Sequence, residues 1–136
     1  MWRKVFVDAT AWIALNDRGD QYHQAAVAIY HRLLQERRFL VTTNLVVAEA
    51  QIIIRRKGGF DPAIRFLESI RQTHRLQMIY ADPDIDLLAG RILRQFRDHE
   101  LSLADAVSFA VMRQHEITDA FTFDRHFQIA GFVQAG

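Results

Sequence analysis

The chain has 136 residues, of which half are hydrophobic and none is cysteine. This length predicts a single domain over residues 1–136, and the lack of cysteine excludes a disulfide framework and a cysteine-ligated zinc site. The formal net charge of +1 is uninformative by itself. The first twenty residues lack a signal-peptide pattern, and no apolar run approaches the ~18 residues of a membrane span. A soluble, cytoplasmic protein without a membrane partner is therefore expected.

Arginine strongly outnumbers lysine, because every basic residue except Lys4 and Lys57 is arginine. Arginine binds phosphate through two parallel hydrogen bonds. The composition therefore favours a phosphate-bearing partner as much as it favours a surface of ordinary solvated ion pairs.

Apolar periodicity and turn residues divide the chain into alternating strands and helices. In chain order the predicted elements are a strand over 3–8, a helix over 10–16, a helix over 21–37, a strand over 38–43, a helix over 45–57, a helix over 61–75, a strand over 76–80, a helix over 83–99, a helix over 102–115, a strand over 120–124 and a short strand over 131–134. The predicted helix N-caps are Thr10, Asn44, Asp61, Asp82 and Ser102.

This alternation predicts an α/β fold: a three-layer α/β/α sandwich around a mostly parallel sheet of four to five strands. Open sheets of this kind place their sites at the carboxyl ends of the strands. Asp8 and Asp124 each end a predicted strand, so both are expected at that edge. Each is equally well explained as the N-cap of a following helix.

Asp105 lies in a nearly apolar stretch, LSLADAVSFA, three residues after Ser102. This spacing matches a capping box, in which the two side chains satisfy free amides of the first helical turn. An ionised side chain is costly to bury without a partner, so a metal ligand is the other interpretation. The two roles are compatible.

Glu49 faces apolar neighbours on its predicted helix, at offsets of three and four residues. A solvated glutamate belongs on the opposite face. A buried ion pair, a position at the rim of the core and a metal ligand all explain it.

Asp8, Glu49, Asp105 and Asp124 share one pattern: each is an acid beside apolar sequence, at a strand end or early in a helix. Carboxylates that converge repel one another, and a divalent cation removes the conflict. Sites made only of carboxylates suit Mg²⁺ or Mn²⁺. Without these four, twelve acidic residues face 17 basic ones, which leaves a charge of +5 and suits a phosphodiester substrate.

The sequence resembles the PIN-domain ribonucleases, and specifically the VapC-type toxins of toxin–antitoxin pairs. Four blocks carry the resemblance in order, namely VFVDATAWIAL with Asp8, TTNLVVAEA with Glu49, LSLADAVSFAVM with Asp105 and FTFDRHF with Asp124. It covers nearly the whole chain.

The resemblance implies a PIN-like fold and a Mg²⁺- or Mn²⁺-dependent endoribonuclease that leaves 5′-phosphate and 3′-hydroxyl ends. It implies that the four acids are catalytic and bind the metal, directly or through water. It also implies a homodimer and a cognate VapB-like antitoxin whose tail occupies the active-site groove. We expect an amphipathic antitoxin helix on an apolar groove lined by Trp12, Ile13 and the helix over 21–37, although ordinary core packing explains Trp12 as well.

A second set of residues is expected near the site by the same resemblance. These are Thr10 and Thr122, as small hydroxyl residues, Asn44 and Ser102, as groups behind the ligands, and Arg125, as a phosphate contact or a plain surface arginine. His126 is a candidate general base, although metal chemistry makes a protein base unnecessary.

Three rival functions stay open. The first is a PIN nuclease of RNA maturation, and the second is a catalytically inactive PIN-like module that binds RNA or protein. The third is a phosphatase of the haloacid-dehalogenase type, whose opening motif needs a second aspartate where this chain has Thr10.

Overall fold

The computed structural model describes residues 3–135, which form strands and helices in alternation. The elements are β1 (Lys4–Val7), α1 (Ala9–Asn16), α2 (His23–Gln35), β2 (Phe39–Thr43), α3 (Asn44–Gly58), α4 (Phe60–Gln72), β3 (Leu76–Ile79), α5 (Pro83–Gln95), α6 (Leu103–Gln114), β4 (Asp119–Phe121), α7 (His126–Ile129) and β5 (Val133–Gln134). No helix within this range is long and apolar enough to cross a membrane.

The five strands form one parallel sheet in the order β3-β2-β1-β4-β5, flanked by helices. The predicted α/β class and the four to five strands are thus confirmed, and every described strand pair is parallel. Val5 of β1 lies between Leu40 of β2 and Asp119 of β4, which fixes the register at the centre of the sheet. Because parallel neighbours run the same way, the carboxyl ends of β1, β2 and β4 lie at one edge.

Continuous apolar runs form the central strands, because helices cover both faces of a parallel sheet. Val5, Phe6 and Val7 of β1 are fully buried. An aromatic cluster packs beneath the sheet edge, where Phe127 contacts Phe6 and meets Phe109 edge-on at 4.9 Å between ring centroids. This packing anchors the short helix α7 to the core.

Trp12 belongs to the same core and not to an exposed groove. Its side chain is only 4% exposed, and its indole N–H donates a hydrogen bond to Thr42 Oγ1 at 3.3 Å. Ile13 is 8% exposed. The prediction that Trp12 lines a docking groove for a partner helix is therefore wrong, because the indole is enclosed by the sheet and the helices.

Three predicted N-caps are wrong. Asp8 caps α1 in place of Thr10, because its carboxylate is the one that accepts from a first-turn amide. Thr43 caps α3 in place of Asn44, with its hydroxyl accepting from the Val46 amide at 3.1 Å. Gly59 precedes α4, where Asp61 lies inside the first turn instead. The caps at Asp82 and Ser102 are confirmed.

Several element ends also differ from the sequence prediction, by up to four residues. Helix α5 ends at Gln95, four residues before the predicted end at His99. Strand β4 ends at Phe121, and the chain then turns through Thr122–Asp124 into α7, a helix that the sequence did not predict. Asp124 therefore lies in this turn, three residues after the end of β4, and not at the end of the strand as predicted.

Candidate active site

Five carboxylates line one cavity of about 360 Å³ at the carboxyl edge of the sheet, and four of them are the acids that the sequence singled out. Asp8 follows β1, Glu49 lies in α3 after β2, Asp105 lies in the first turn of α6, and Asp124 follows β4. The remaining walls are formed by Ala9, Thr10, Ile13, Ile53, Glu100, Leu101 and Ser102. The structure thus brings together the four acids that the sequence singled out.

Asp8 is the most deeply buried of the four, at 3% exposure. Its Oδ2 accepts hydrogen bonds from the hydroxyls of Thr10 and Thr122, both at 2.9 Å. Burial raises the pKa of Asp8 to about 6, although these hydrogen bonds act in the opposite direction. The carboxylate is therefore held in one orientation but is costly to ionise.

Glu49 is half-buried and accepts no hydrogen bond from any residue within 3–135. Burial is the main cause that raises its pKa to about 7, and the charges of Asp8, Asp105 and Asp124 add to the rise. The buried ion pair considered for Glu49 is not formed with any described residue. No described hydrogen bond or ion pair therefore fixes the orientation of the Glu49 carboxylate.

Asp105 both caps α6 and lines the cavity. Its amide donates to Ser102 Oγ at 3.0 Å, and its Oδ2 accepts from the Ser102 amide at 3.3 Å, which completes the predicted capping box. Burial raises the pKa of Asp105, the charge of Asp124 raises it further, and the bonds to Ser102 and a charged His126 act against the rise.

Both hydrogen bonds that the Asp124 carboxylate accepts within the described chain come from His126. Its Oδ1 accepts from the backbone amide of His126 at 2.9 Å and lies 2.8 Å from the Nδ1 of the same residue. The Asp124 amide donates to Thr122 Oγ1 at 3.0 Å. The turn after β4 is thereby fixed at its backbone and at its carboxylate.

Two threonines connect the separate acids into one network. The hydroxyls of Thr10 and Thr122 lie 3.2 Å apart, and Thr10 Oγ1 accepts from the Phe123 amide at 3.0 Å. Through Thr122, which contacts both Asp8 Oδ2 and the Asp124 amide, the ends of β1 and β4 are tied together. Thr10 lines the cavity, and Thr122 lies against Asp8.

Two other residues that were expected near the site, Asn44 and Arg125, are not part of the cavity wall. Asn44 does not line this cavity; its side-chain oxygen accepts from the Ala81 amide at 3.4 Å, beyond the end of β3. Arg125 is exposed and does not form part of the described cavity wall. Glu100, which the sequence reasoning missed, adds a fifth carboxylate to the wall two residues before the α6 cap. Only its proximity to Ser102 in the chain could have indicated it.

The donor set fits a hard divalent cation in its chemistry, because all four acids are oxygen ligands and the charges of Asp8, Asp105 and Asp124 raise the pKa of Glu49. Within residues 3–135, no three Asp, Glu or His side chains are so arranged that they could hold a metal ion as they stand.

Comparison with known proteins identifies the family. The PIN domain model matches residues 5–133. The 23S rRNA-specific endonuclease VapC20, from two strains of Mycobacterium tuberculosis, is 32% identical over 130 residues, which covers 96% of this chain and 96% of the relative.

Solved structures agree with that match. The crystal structure of Mycobacterium tuberculosis VapC20, a Sarcin-Ricin loop cleaving toxin, has a TM-score of 0.84 with 95% of this chain and 96% of its own covered. FitAcB from Neisseria gonorrhoeae has a TM-score of 0.70 at 16% identity, over 97% of this chain and 96% of its own, which is a likeness of fold alone. By the extent of the family match and the identity to VapC20, this chain is a member of the PIN domain family.

Proposed function

We propose that this protein is a Mg²⁺- or Mn²⁺-dependent endoribonuclease and the toxin of a VapBC-type toxin–antitoxin pair. The observation that carries the proposal is the convergence of Asp8, Glu49, Asp105 and Asp124 on one cavity in a PIN domain. The raised pKa of Asp8 and of Glu49 supports it, because clustered carboxylates of this kind are typical of functional sites.

In this proposal the four acids would hold the cation, which would contribute Lewis-acid activation of water and stabilisation of charge on the leaving oxygen. Asp8 is oriented by Thr10 and Thr122, and Asp105 by the Ser102 amide. The apolar side chains of Ile13, Ile53 and Leu101 line the same cavity beside the acids.

The substrate is proposed to be RNA, bound through its phosphates. The excess of arginine outside the cavity supports this, because positive charge that surrounds an acidic centre attracts the backbone and leaves the centre for the reacting phosphate. Exposed Arg125, next to Asp124 in the chain, is our candidate for a phosphate contact. Since the relative VapC20 is specific for 23S rRNA, that RNA is the first substrate to test.

We further propose that the chain acts as a single domain in the cytoplasm, as a homodimer, and that a cognate antitoxin covers the site. The resemblance to toxin–antitoxin proteins supports both partners. The exposed apolar side chains of Phe60, Tyr80 and Leu87 offer surface for such contacts. Trp12 is buried in the core and cannot contact an antitoxin. We therefore propose that the antitoxin binds at the edge of the acidic cavity.

The test is cleavage of 23S rRNA by purified protein, with Mn²⁺ and with chelator, beside the Asp8→Asn variant. Cleavage that requires the metal and Asp8, and that leaves 5′-phosphate ends, is the expected result. Cleavage that survives both the chelator and Asp8→Asn contradicts the proposed site. RNA binding without cleavage under any condition favours the inactive module, and processing of a precursor without growth arrest favours RNA maturation.

A further inference from the structure

His126 is the one histidine whose ring touches an acid of the cavity, among the residues that the structure describes. We propose that His126 is a positioning residue, which fixes the Asp124 carboxylate so that Oδ2 is presented to the cation. This inference rests on the proposed metal site. It replaces the general-base role that the sequence left open for this side chain.

The hydrogen bonds of Asp124 are divided unequally between its two oxygens. Oδ1 receives both the backbone amide of His126, at 2.9 Å, and the ring Nδ1, at 2.8 Å. Oδ2 accepts no hydrogen bond from any residue within 3–135. Two donors on one oxygen restrict rotation of the carboxylate about its terminal bond, so the other oxygen keeps one direction.

The contact also determines which ring nitrogen carries the hydrogen. An ionised carboxylate only accepts hydrogen bonds, so Nδ1 is the donor. The same arrangement, with imidazole and carboxylate in exchanged roles, orients ligands at metal sites generally. A general base would have to accept its proton through Nε2, the other ring nitrogen. A positioning role needs only the hydrogen bond from Nδ1 to Asp124.

Packing holds the imidazole in place on its other sides. The His99 ring meets it edge-on, with 6.1 Å between centroids and an angle of 78°. The next residue, Phe127, is fully buried in the aromatic core. The His126 ring thus has one packing neighbour and its backbone lies next to a buried residue, and the side chains of His126 and Asp124 are both about one-quarter exposed.

Two substitutions separate the donor from the ring. His126→Phe keeps a ring against His99 and removes the Nδ1 donor. His126→Asn removes the ring but keeps an N–H donor at the same number of bonds from the backbone. The backbone amide of residue 126 remains in both variants, so one of the two hydrogen bonds to Asp124 Oδ1 is kept in each.

The measurement is the Kd for Mn²⁺ by calorimetry on purified protein without RNA. We expect His126→Phe to weaken binding about 10- to 100-fold, the usual cost of losing a partner of a ligand, and His126→Asn to stay within about threefold of wild type. Exposed His31 on α2 provides the matched control, and His31→Phe should leave the Kd unchanged. If His126→Phe does not fold, His126→Ala takes its place as the donor-free variant.

Cleavage at increasing Mn²⁺ adds a second readout. A positioning role predicts that saturating Mn²⁺ restores most of the turnover of His126→Phe, because the defect is in cation affinity. Loss of a general base is not restored by metal, and His126→Asn would then be as inactive as His126→Phe. That pattern overturns the inference.

The inference and the proposed function fail in different ways. A wild-type Kd for His126→Phe, together with a large loss for Asp124→Asn, refutes the positioning role and leaves the metal site intact. A wild-type Kd for Asp124→Asn removes Asp124 from the proposed ligands and overturns the inference. Absence of Mn²⁺ binding by the wild-type protein refutes the metal site itself.

Discussion

At Asp105 one carboxylate closes the first turn of α6 and also lines the acidic cavity. Its Oδ2 accepts from the backbone amide of Ser102, whereas its own amide donates to the Ser102 hydroxyl. Only the second of these bonds depends on the serine side chain. The capping contribution and the proposed ligand role can therefore be separated by changing one residue at a time.

Asp105→Asn should remove cleavage and most of the Mn²⁺ response while the protein stays folded. The amide preserves the shape and still accepts from Ser102, but it lacks the charge that binds a cation. Wild type at one hundred times Kd gains roughly 2.7 kcal/mol from a ligand that binds only the native state, which is a Tm rise of about 5 °C. The variant's rise should shrink sharply in a thermal scan, and its Tm in chelator should be no lower than that of wild type.

Ser102→Ala is the matched control for that variant. It deletes the acceptor of the Asp105 amide, so it should cost on the order of 1 kcal/mol in chelator. The backbone donor to Oδ2 remains, so its Mn²⁺-induced rise should persist. A full Mn²⁺ response in Asp105→Asn, or its loss in Ser102→Ala alone, would count against Asp105 as a ligand.

A site residue could be predicted from the sequence when the pattern that marks it lies in its immediate neighbourhood in the chain. Glu49 stood out because a charge on an apolar helix face is visible in the sequence, and Asp105 because its capping spacing is local. The contact of Thr122 with Asp8 spans 114 positions, so local patterns do not predict it, and only the family resemblance placed Thr122 near the site. Glu100 lies in the loop before α6, and the hydrogen bond between His126 and Asp124 depends on the short helix α7. The local sequence signals for this loop and this helix are too weak to predict either feature.

Helix starts show the same limit at the scale of an element. At the start of α3 the sequence offers Thr42, Thr43 and Asn44 in a row, all of them polar and short. Which one caps is determined by where β2 stops, and sequence patterns place that point only to within a few residues. In the structure Thr43 is the cap, and Asn44 reaches across to the end of β3 instead.

Thr43→Ala should therefore destabilise the protein more than Asn44→Ala. The buried Thr43 hydroxyl accepts from the Val46 amide at 3.1 Å, and its removal should cost about 0.5–2 kcal/mol. The Asn44 contact is longer, at 3.4 Å, and its loss should cost less. Urea denaturation of both variants and wild type measures the difference, and a larger loss for Asn44→Ala would mean that the cap is assigned wrongly. Because α3 carries Glu49, Thr43→Ala should also lower Mn²⁺ affinity.

For the whole molecule, the alternation of elements predicted the fold class, whereas the order of the strands could not be read from the sequence. Parallel pairing follows from helical crossovers, but the sequence alone does not say that β1 lies between β2 and β4. That order is what brings Asp8 and Asp124 to neighbouring positions. With the two acids of α3 and α6, it concentrates negative charge at one edge of a molecule whose remaining charge is positive.

This concentration of charge should reverse the usual dependence of stability on pH. The pKa of Asp8 rises from 3.8 to about 6 on folding, and that of Glu49 from 4.5 to about 7. A carboxyl group with a raised native pKa holds its proton longer in the native state than in the unfolded state. The stability that this provides is complete at low pH and is lost as the pH rises through the native pKa.

In chelator, the free energy of unfolding should therefore fall between about pH 4 and pH 7, by on the order of 1–3 kcal/mol in total. The half-buried Glu49 contributes less than its shift implies, because solvent screens it. In saturating Mn²⁺ the slope should flatten or reverse, because a cation binds the deprotonated acids and gains affinity as protons leave. Urea titrations at pH 5, 6 and 7, with chelator and with Mn²⁺, measure both slopes. Glu49→Gln should reduce the metal-free slope, since one titrating group is gone, and equal slopes in chelator and Mn²⁺ would show that these acids do not share a cation.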